Sequence, residues 1–340
     1  MGGVGYYRRR LNEPRDKPEG SLTLQADQAG STLAAVLREL LPGTSWSKAR
    51  DLCRDGRARV NGEPETDSAR RLEAGDVVEV GRSGRPPARQ DRLHGPVSTA
   101  ELLVYLDADV AVARKPAGLL TVPFHADGSE KDTLLSRARV AARRLDAARG
   151  ADHGPMLRVV QRVDKDTSGL VVFARTVAAQ RRLQEQLGEH TVARRYLALV
   201  HGEAVDAIYD TLLVPDRGDG IRGSWGSYRK AALPANPPKA ARQAVTHVRV
   251  QERLRGATLV TCELETGRQH QIRIHLAEAG FPLVGEAVYV RDYEGPRIAA
   301  PRPMLHAAVL GFVHPRTGKP VQFEDPPPAD FNAVLARLRR

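Results

Sequence analysis

Two stretches of this chain hold side chains whose types and spacing suit chemistry. The first, Gln161-Arg162-Val163-Asp164-Lys165-Asp166-Thr167-Ser168-Gly169-Leu170, sets two carboxylates in a polar turn that runs straight into the apolar segment Leu170-Val171-Val172-Phe173-Ala174. A carboxylate on a loop just ahead of a core strand is rigidly supported yet reachable by a substrate. Asp164 and Asp166 also suit an ordinary turn, so local pattern alone leaves both readings open. The second stretch runs Glu263-Leu264-Glu265-Thr266-Gly267-Arg268-Gln269-His270-Gln271-Ile272-Arg273-Ile274-His275. The planar guanidinium of Arg273 could pair with a carboxylate from elsewhere in the fold, or lie on the surface as an ordinary arginine. His270 and His275 stand five apart, which points them in different directions on a helix and to opposite faces of a strand. They make no zinc pair, and the chain has no His-Glu-x-x-His motif and no convincing Walker or Rossmann motif.

The elements around these stretches follow from periodicity and punctuation. Thr266 followed by Gln269 has the spacing of a capping box, and Ile272, Leu276 and Ala279 repeat at i, i+4 and i+7 before Gly280, so a helix is predicted to start near Arg268. Strand-like runs at 102–106, 110–113, 169–174, 194–200 and 258–264 mix with helical segments in no regular alternation, which predicts an α+β domain rather than a doubly wound sheet. Residues 214–243, rich in Gly, Pro and cations, are predicted to form a long surface insertion. Towards the front, residues 1–20 read as a disordered basic tail. Ser31 is placed to cap a helix whose Leu33, Val36, Leu37 and Leu40 share one face and which Pro42-Gly43 stops; a second helix is predicted at 46–54. Gly56, the Asn61-Gly62 turn and Gly75-Asp76 then punctuate short strands ending in Val77, Val78 and Val80. A Pro-, Gly- and Arg-rich linker spans 82–97, and the larger domain spans 98–335.

Composition narrows the class. The 340 residues suggest roughly two domains of about 150 residues each. Lys and Arg total 52 against 41 Asp and Glu, a net charge of +11, and the pI is near 10.0, so a polyanion is the expected partner: nucleic acid first, an anionic membrane second. No apolar run reaches about 18 residues and the first residues lack the apolar core of a signal peptide, so a cytoplasmic protein is expected, with no membrane partner. The two cysteines, Cys53 and Cys262, are too few for a cysteine zinc site and fit a reducing compartment.

The unit at 31–81 resembles the S-four RNA-binding domain, on the stretch SWSKARDLCRDGRARVNGEPETDSARRLEAGDVVEV. The resemblance implies that Lys48, Arg50, Arg54, Arg57 and Arg59 face RNA, where clustered cations would neutralise several phosphates together.

From about 103 to 330 the chain resembles the pseudouridine synthases of the RluA type. The motifs are QRVDKDTSGLVVFAR, RRYLALVHG, ETGRQHQIRIHLAEAGFPLVGEAVY and MLHAAVLGFVHPRTGKPVQFEDP, in that order, preceded by Val104-Tyr105-Leu106-Asp107 and Arg114-Lys115-Pro116-Ala117-Gly118. Gln161 stands where the family usually has His, and Pro303 where it usually has Gln. The resemblance implies a mixed, largely antiparallel sheet flanked by helices and loops, preceded by a small α/β RNA-binding domain. It implies isomerisation of uridine to pseudouridine in structured RNA, large-subunit rRNA rather than tRNA, by a monomer. No metal or other cofactor is implied, because the isomerisation changes no oxidation state and loses no group. It further implies that Asp164 is the nucleophile, toward ribose or base, and that Arg273 pairs with it, holding a desolvated carboxylate as its anion. Tyr196 would stack on uracil and assist loss of the carbon-5 proton, Arg162 would occupy space near the flipped nucleotide, and Leu305 would line the pocket. The alternative is a noncatalytic RNA-binding or ribosome-assembly protein that keeps the same fold.

Overall fold

The computed structural model describes residues 20–23, 29–81, 99–123, 132–150, 156–218, 220–227, 236–290 and 293–340. The predicted basic tail, except Gly20, and the predicted linker lie outside the described residues. The chain divides into two compact units, Met1–Gln90 and Asp91–Arg340.

In the first unit, β1 (Gly20–Thr23), α1 (Leu33–Leu40), α2 (Trp46–Arg54), β2 (Ala58–Val60), β3 (Glu63–Pro64) and β4 (Val77–Val80) follow one another. The strands form an antiparallel sheet in the order β1-β4-β2-β3. The cap of α1 is Thr32 rather than Ser31: its hydroxyl accepts from the Ala35 amide at 3.2 Å, the N3 position of a helix that opens at Leu33. Leu33, Val36 and Leu37 are buried together with Leu52, Cys53, Val60 and Val78, so both helices close one small core over the sheet. Asn61 and Gly62 both have positive φ (54° and 82°), as the tight β2–β3 turn requires. Neither the sequence pattern nor any apolar alternation marked β1.

The second unit contains α3 (Thr99–Leu102), β5 (Leu103–Leu106), β6 (Val110–Lys115), α4 (Leu134–Ala148), β7 (Arg158–Val159), β8 (Ser168–Ala174), α5 (Val177–Gly188), β9 (Ala193–His201) and β10 (Ala207–Val214). It continues with β11 (Gly223–Ser224), β12 (Arg242–Leu254), β13 (Ala257–Leu264), α6 (Gln271–Glu278), β14 (Leu305–Val313), β15 (Pro320–Glu324) and α7 (Ala329–Leu338). Among the described residues these strands make one sheet in the order β11-β10-β12-β13-β9-β14-β8-β6-β5, with β15 on β14 and β7 on β8. The pairs are antiparallel except β14 with β8, where His306 lies beside Ser168 and Ala307 beside Gly169. The domain is therefore α+β.

Alternation explains how helices cover the sheet. On β8, Val171 and Phe173 pack with α4, while Leu170, Val172 and Ala174 pack with Ala179 and Leu183 of α5, so every residue of the strand is buried. On β9, Tyr196, Ala198 and Val200 share a cluster with Ile272 and Leu276 of α6, and Leu199 joins Phe331 and Val334 of α7. The expected surface insertion holds for part of the segment after β10: residues 236–240 are exposed, whereas Arg217, Ile221 and Ser224 are buried and the Ser224 amide donates to Glu278 on α6 at 2.9 Å. Residues 228–235 of that segment lie outside the described residues.

At the β8–β14 contact the two backbones lie close together. Gly169 has φ of +111°, and a β-carbon there would lie 2.2 Å from the Ala307 carbonyl oxygen. Both strain and clash oppose any side chain. Gly169→Ala is therefore expected to lower folding stability by at least about 3 kcal/mol, read as a fall in the urea midpoint. An unchanged midpoint would show that the strands can part without cost.

Candidate active site

Three neighbouring strands and one helix converge on Asp164. The aspartate sits in the turn that precedes β8, its carbonyl accepting from the Thr167 amide at 3.2 Å. That turn is fastened on both sides. Thr121 donates its hydroxyl to the Val163 carbonyl at 2.9 Å. Lys115, fully buried at the end of β6, donates to the carbonyls of Lys165 (2.7 Å), Leu119 (2.7 Å) and Pro116 (3.0 Å), and burial pushes its ammonium down to about 7. Arg302, also buried, donates to the Asp166 carbonyl at 3.1 Å and to Ser168 Oγ at 3.3 Å while its Nε is bound by Asp330 at 2.7 Å. Ser168 in turn contacts His306 Nδ1 at 3.0 Å. Backbone carbonyls buried in such a loop need donors, and two buried basic side chains supply them.

The cavity beside this turn has a volume of about 390 Å³, and Asp164, Tyr196, Arg273, Leu305 and Arg162 all line it. These are the five cavity residues proposed from sequence, and the fold brings all five together. Tyr196 comes from β9 and Leu305 from β14, joined by the Ala307–Tyr196 and Leu305–Ala198 register. Asp164 retains about a quarter of its side-chain exposure, and Arg162 is exposed. Burial pushes the Tyr196 phenol up to about 12, so the ring enters the site as a neutral hydroxyl. A smaller adjoining cavity of about 260 Å³ shares Asp164 and Arg162 and extends to Leu120, Thr121 and Val122.

The expected pairing of Arg273 with Asp164 is corrected by the structure. Arg273 makes a bidentate bond with Glu286, Nε to Oε2 at 2.8 Å and Nη2 to Oε1 at 2.7 Å. The Glu286 side chain is fully buried and also accepts from the backbone amides of Val288 (2.9 Å) and Ala287 (3.1 Å). Fork-to-fork geometry and two backbone donors make this the stronger partner for a buried guanidinium. Burial works against both charges, yet the partner and the amides prevail: Glu286 is held below its ordinary 4.5 and Arg273 above its ordinary value. The cation still contributes to the field at Asp164. Glu286 lies 13 residues beyond Arg273, and nothing in its spacing announces it.

The start of α6 also differs from expectation. The helix opens at Gln271, not near Arg268, because the Gln271 side chain takes over the role given to Gln269. Its Oε1 accepts from the Thr266 hydroxyl (2.8 Å) and the Arg268 amide (2.9 Å), and its Nε2 donates to the Val245 carbonyl and Thr246 Oγ1, both at 2.9 Å. Residues 266–270 are thereby held as a loop, and His270 caps the helix with a left-handed backbone at φ of 59°. His270 was set aside as a metal ligand, but its Nε2 lies 4.0 Å from Asp164 Oδ1. His275 is buried between Thr211 (3.0 Å) and Thr246 (2.8 Å), a structural position.

Among the described residues, Asp107, Asp109 and His314 bring possible metal-ligand atoms within 4.8 Å of one another. Each is already engaged: Asp107 accepts from Tyr105, His314 and two backbone amides, and Asp109 is bound by Arg316. The cluster is a strut between the β5–β6 turn and the end of β14. In the first unit, Lys48 and Arg50 are exposed on α2. Arg57 and Arg59 are half-buried, and Arg57 Nε donates to the Gly81 carbonyl at 2.9 Å. The Arg54 side chain lies outside what the structure describes.

A family model described as RNA pseudouridylate synthase matches residues 109–278, and one described as the S4 domain matches 32–78. The chain belongs to the RNA pseudouridylate synthase family. It is 35% identical over 321 residues to the uncharacterized RNA pseudouridine synthase YlyB of Bacillus subtilis (strain 168), covering 94% of this chain and 98% of that one. It is 34% identical over 342 residues to the ribosomal large subunit pseudouridine synthase D of Xanthomonas campestris pv. campestris, covering 96% and 95%. Human RNA pseudouridylate synthase domain containing 4 superposes with a TM-score of 0.58 at 21% identity over 71% of this chain and 95% of that chain, which shows the shared fold. The synthase is thus an RNA isomerase with an RNA-binding S4 domain, and among its described residues no helix is long and apolar enough to cross a membrane.

The Arg273–Glu286 pair generates a stability prediction for the synthase. Glu286→Gln leaves a buried cation without its anion and is expected to cost about 3–5 kcal/mol near neutral pH. Because the folded-state value of Glu286 is depressed, the pair's contribution is complete above 4.5 and is lost as pH falls through the lower folded value. Denaturant midpoints for wild type and variant should converge only in that acidic range. A gap independent of pH would mean the loss is one of packing rather than charge.

Proposed function

We propose that this synthase isomerises uridines in structured RNA, in particular large-subunit rRNA, with Asp164 as the nucleophile. The observation that supports this most is the meeting of Asp164, Tyr196, Arg273 and Leu305 in one cavity, with the exposed Arg162 at its side. The reaction breaks the N1–C1′ bond, turns the uracil and forms C5–C1′; carbon 5 releases a proton and N1 ends with one. Asp164, attacking ribose or base, splits the exchange into two displacements. Tyr196, neutral and lining the cavity, suits a ring that stacks on uracil with its hydroxyl near the C5 proton. The Arg273 guanidinium, fixed by Glu286, supplies positive field to the carboxylate without occupying its oxygens.

Extruding the target base costs a few kcal/mol, which phosphate contacts must offset. Arg162 is the proposed occupant of the space near the flipped nucleotide, and Lys48, Arg50, Arg54, Arg57 and Arg59 are the proposed RNA-facing cations of the S4 domain. The large-subunit target rests on relatives named for that activity. The reading takes the protein to act as a cytoplasmic monomer with no metal or other cofactor; its two free cysteines are buried.

Asp164→Asn should abolish tritium release from C5-labelled uridine RNA while leaving RNA affinity nearly unchanged. Retained turnover would sink the nucleophile assignment, and a wild-type protein that binds RNA without forming pseudouridine would favour the noncatalytic alternative. Lys48→Ala with Arg50→Ala should weaken RNA binding and reduce the slope of log affinity against log salt by about 1 to 2 units, while the rate of bound substrate stays the same.

A further inference from the structure

His270 is poorly explained as a structural residue. It occupies the cap of α6 without a side-chain capping bond, in a left-handed conformation that disfavours residues with a β-carbon. Its Nδ1 lies 2.8 Å from the Tyr289 hydroxyl, and the two rings meet edge to face at 5.7 Å and 79°. Tyr289 is itself buried, with the Arg273 guanidinium 5.3 Å from its ring centroid, and Arg273 is clamped by Glu286. The chain of contacts Glu286, Arg273, Tyr289, His270 therefore ends at Nε2, 4.0 Å from Asp164 Oδ1.

Burial raises the Tyr289 phenol above its ordinary range, so it stays protonated and can donate to Nδ1. With Tyr289 as the donor, the ring proton lies on Nε2, the nitrogen facing Asp164. Burial also holds His270 below its ordinary 6.5, against the pull of Asp164 and Glu286 and with the help of Arg273 and Arg222, so at neutral pH the imidazole is an uncharged donor.

We propose that His270 is a positioning residue for the reaction: fixed through Tyr289, its Nε2–H takes one oxygen of the Asp164 carboxylate when the gap closes on RNA binding, leaving the other oxygen to attack. Bonds of this kind are often long before substrate binds and tighten in the complex. The inference rests on Asp164 being the nucleophile. It gives the carboxylate an orienting partner in place of the Arg273 bond that Glu286 has taken.

The test is single-turnover pseudouridine formation on unmodified large-subunit rRNA transcript, with RNA affinity measured separately. His270→Gly removes the ring at a backbone angle that glycine adopts freely, so its melting midpoint should stay near wild type. The bound-substrate rate should fall about 100-fold with affinity unchanged, as expected for a misplaced nucleophile. Added imidazole should restore part of that rate, and His270→Gln, which keeps an N–H donor, should exceed His270→Gly. The wild-type rate should decline on the acid side, where His270 becomes a cation bound to Asp164, and His270→Gln should lack that limb. A His270→Gly rate equal to wild type, with Asp164→Asn inert, would overturn the proposal and leave the nucleophile standing. So would a slow His270→Gly that neither imidazole nor glutamine improves, with an unchanged pH profile. Turnover by Asp164→Asn would instead overturn the reading beneath it.

Discussion

The close approach of β8 to β14 is the constraint on which the site depends. A parallel pairing of two residues, Ser168 with His306 and Gly169 with Ala307, is a small contact, but it is the point where the β6–β8 part of the sheet joins the part built around β9 and β13. With no β-carbon at Gly169, the Ala307 backbone can lie against it. The turn carrying Asp164 is then one step from Leu305 on β14 and two strands from Tyr196 on β9. Lys115, Thr121 and Arg302 reinforce the arrangement by satisfying the turn's carbonyls from three separate segments. The nucleophile role proposed for Asp164 needs this kind of support, because a loop free to breathe would spread its carboxylate over many orientations.

The second organising interaction is the Arg273–Glu286 pair, and it alters how the cation acts. A guanidinium bonded directly to the attacking carboxylate would satisfy the oxygen lone pairs that must reach the substrate. Bound to Glu286 and to backbone-stabilised charge, the same guanidinium remains near Asp164 as a fixed source of potential. In a partly desolvated cavity such a potential is felt over several ångströms. The net charge of the buried pair is zero, so what remains at Asp164 is a dipole oriented by the covalent structure of α6 and the loop after it. The cost of burying two ions is offset by bidentate geometry and two further amide donors, without which the pair would be a poor use of a buried position.

Much of this was legible in the sequence because it is encoded locally. The α2 helix, the Asn61-Gly62 turn and the strands expected at 110–113, 169–174 and 258–264 show apolar periodicity or turn chemistry within a few residues. The five cavity residues were legible through motif order, which fixes identity without geometry. The partner of Arg273 was not, since Glu286 sits in a loop with no periodic signal and competes with Asp164 only once the chain is folded. The place of His270 was hidden for a related reason: its spacing to His275 excludes a zinc pair but says nothing of its left-handed backbone beside the folded-back Gln271 side chain, or of Asp164 4.0 Å from its Nε2. Capping-box spacing pointed to Gln269 because one-dimensional patterns cannot tell which of two neighbouring glutamines finds the better acceptors and donors.

The positive charge divides into two physical classes. Lys48, Arg50 and Arg162 are exposed, where a cation can exchange counterions for phosphates. Arg194, Arg273 and Arg302 are buried: Arg194 Nη2 donates to the carbonyls of Leu264 and Glu265, Arg273 to Glu286, and Arg302 to Asp330 and the Asp166 turn. A guanidinium whose donors are spent inside the protein adds little to phosphate binding; it holds shape and sets potential. Gly267 illustrates the second use, since a β-carbon there would lie 2.6 Å from Arg194 Nη1, so the loop leading to His270 is shaped around a buried cation. A sum of +11 therefore foretells the class of partner through its exposed members, while the buried cations hold the loops around the cavity.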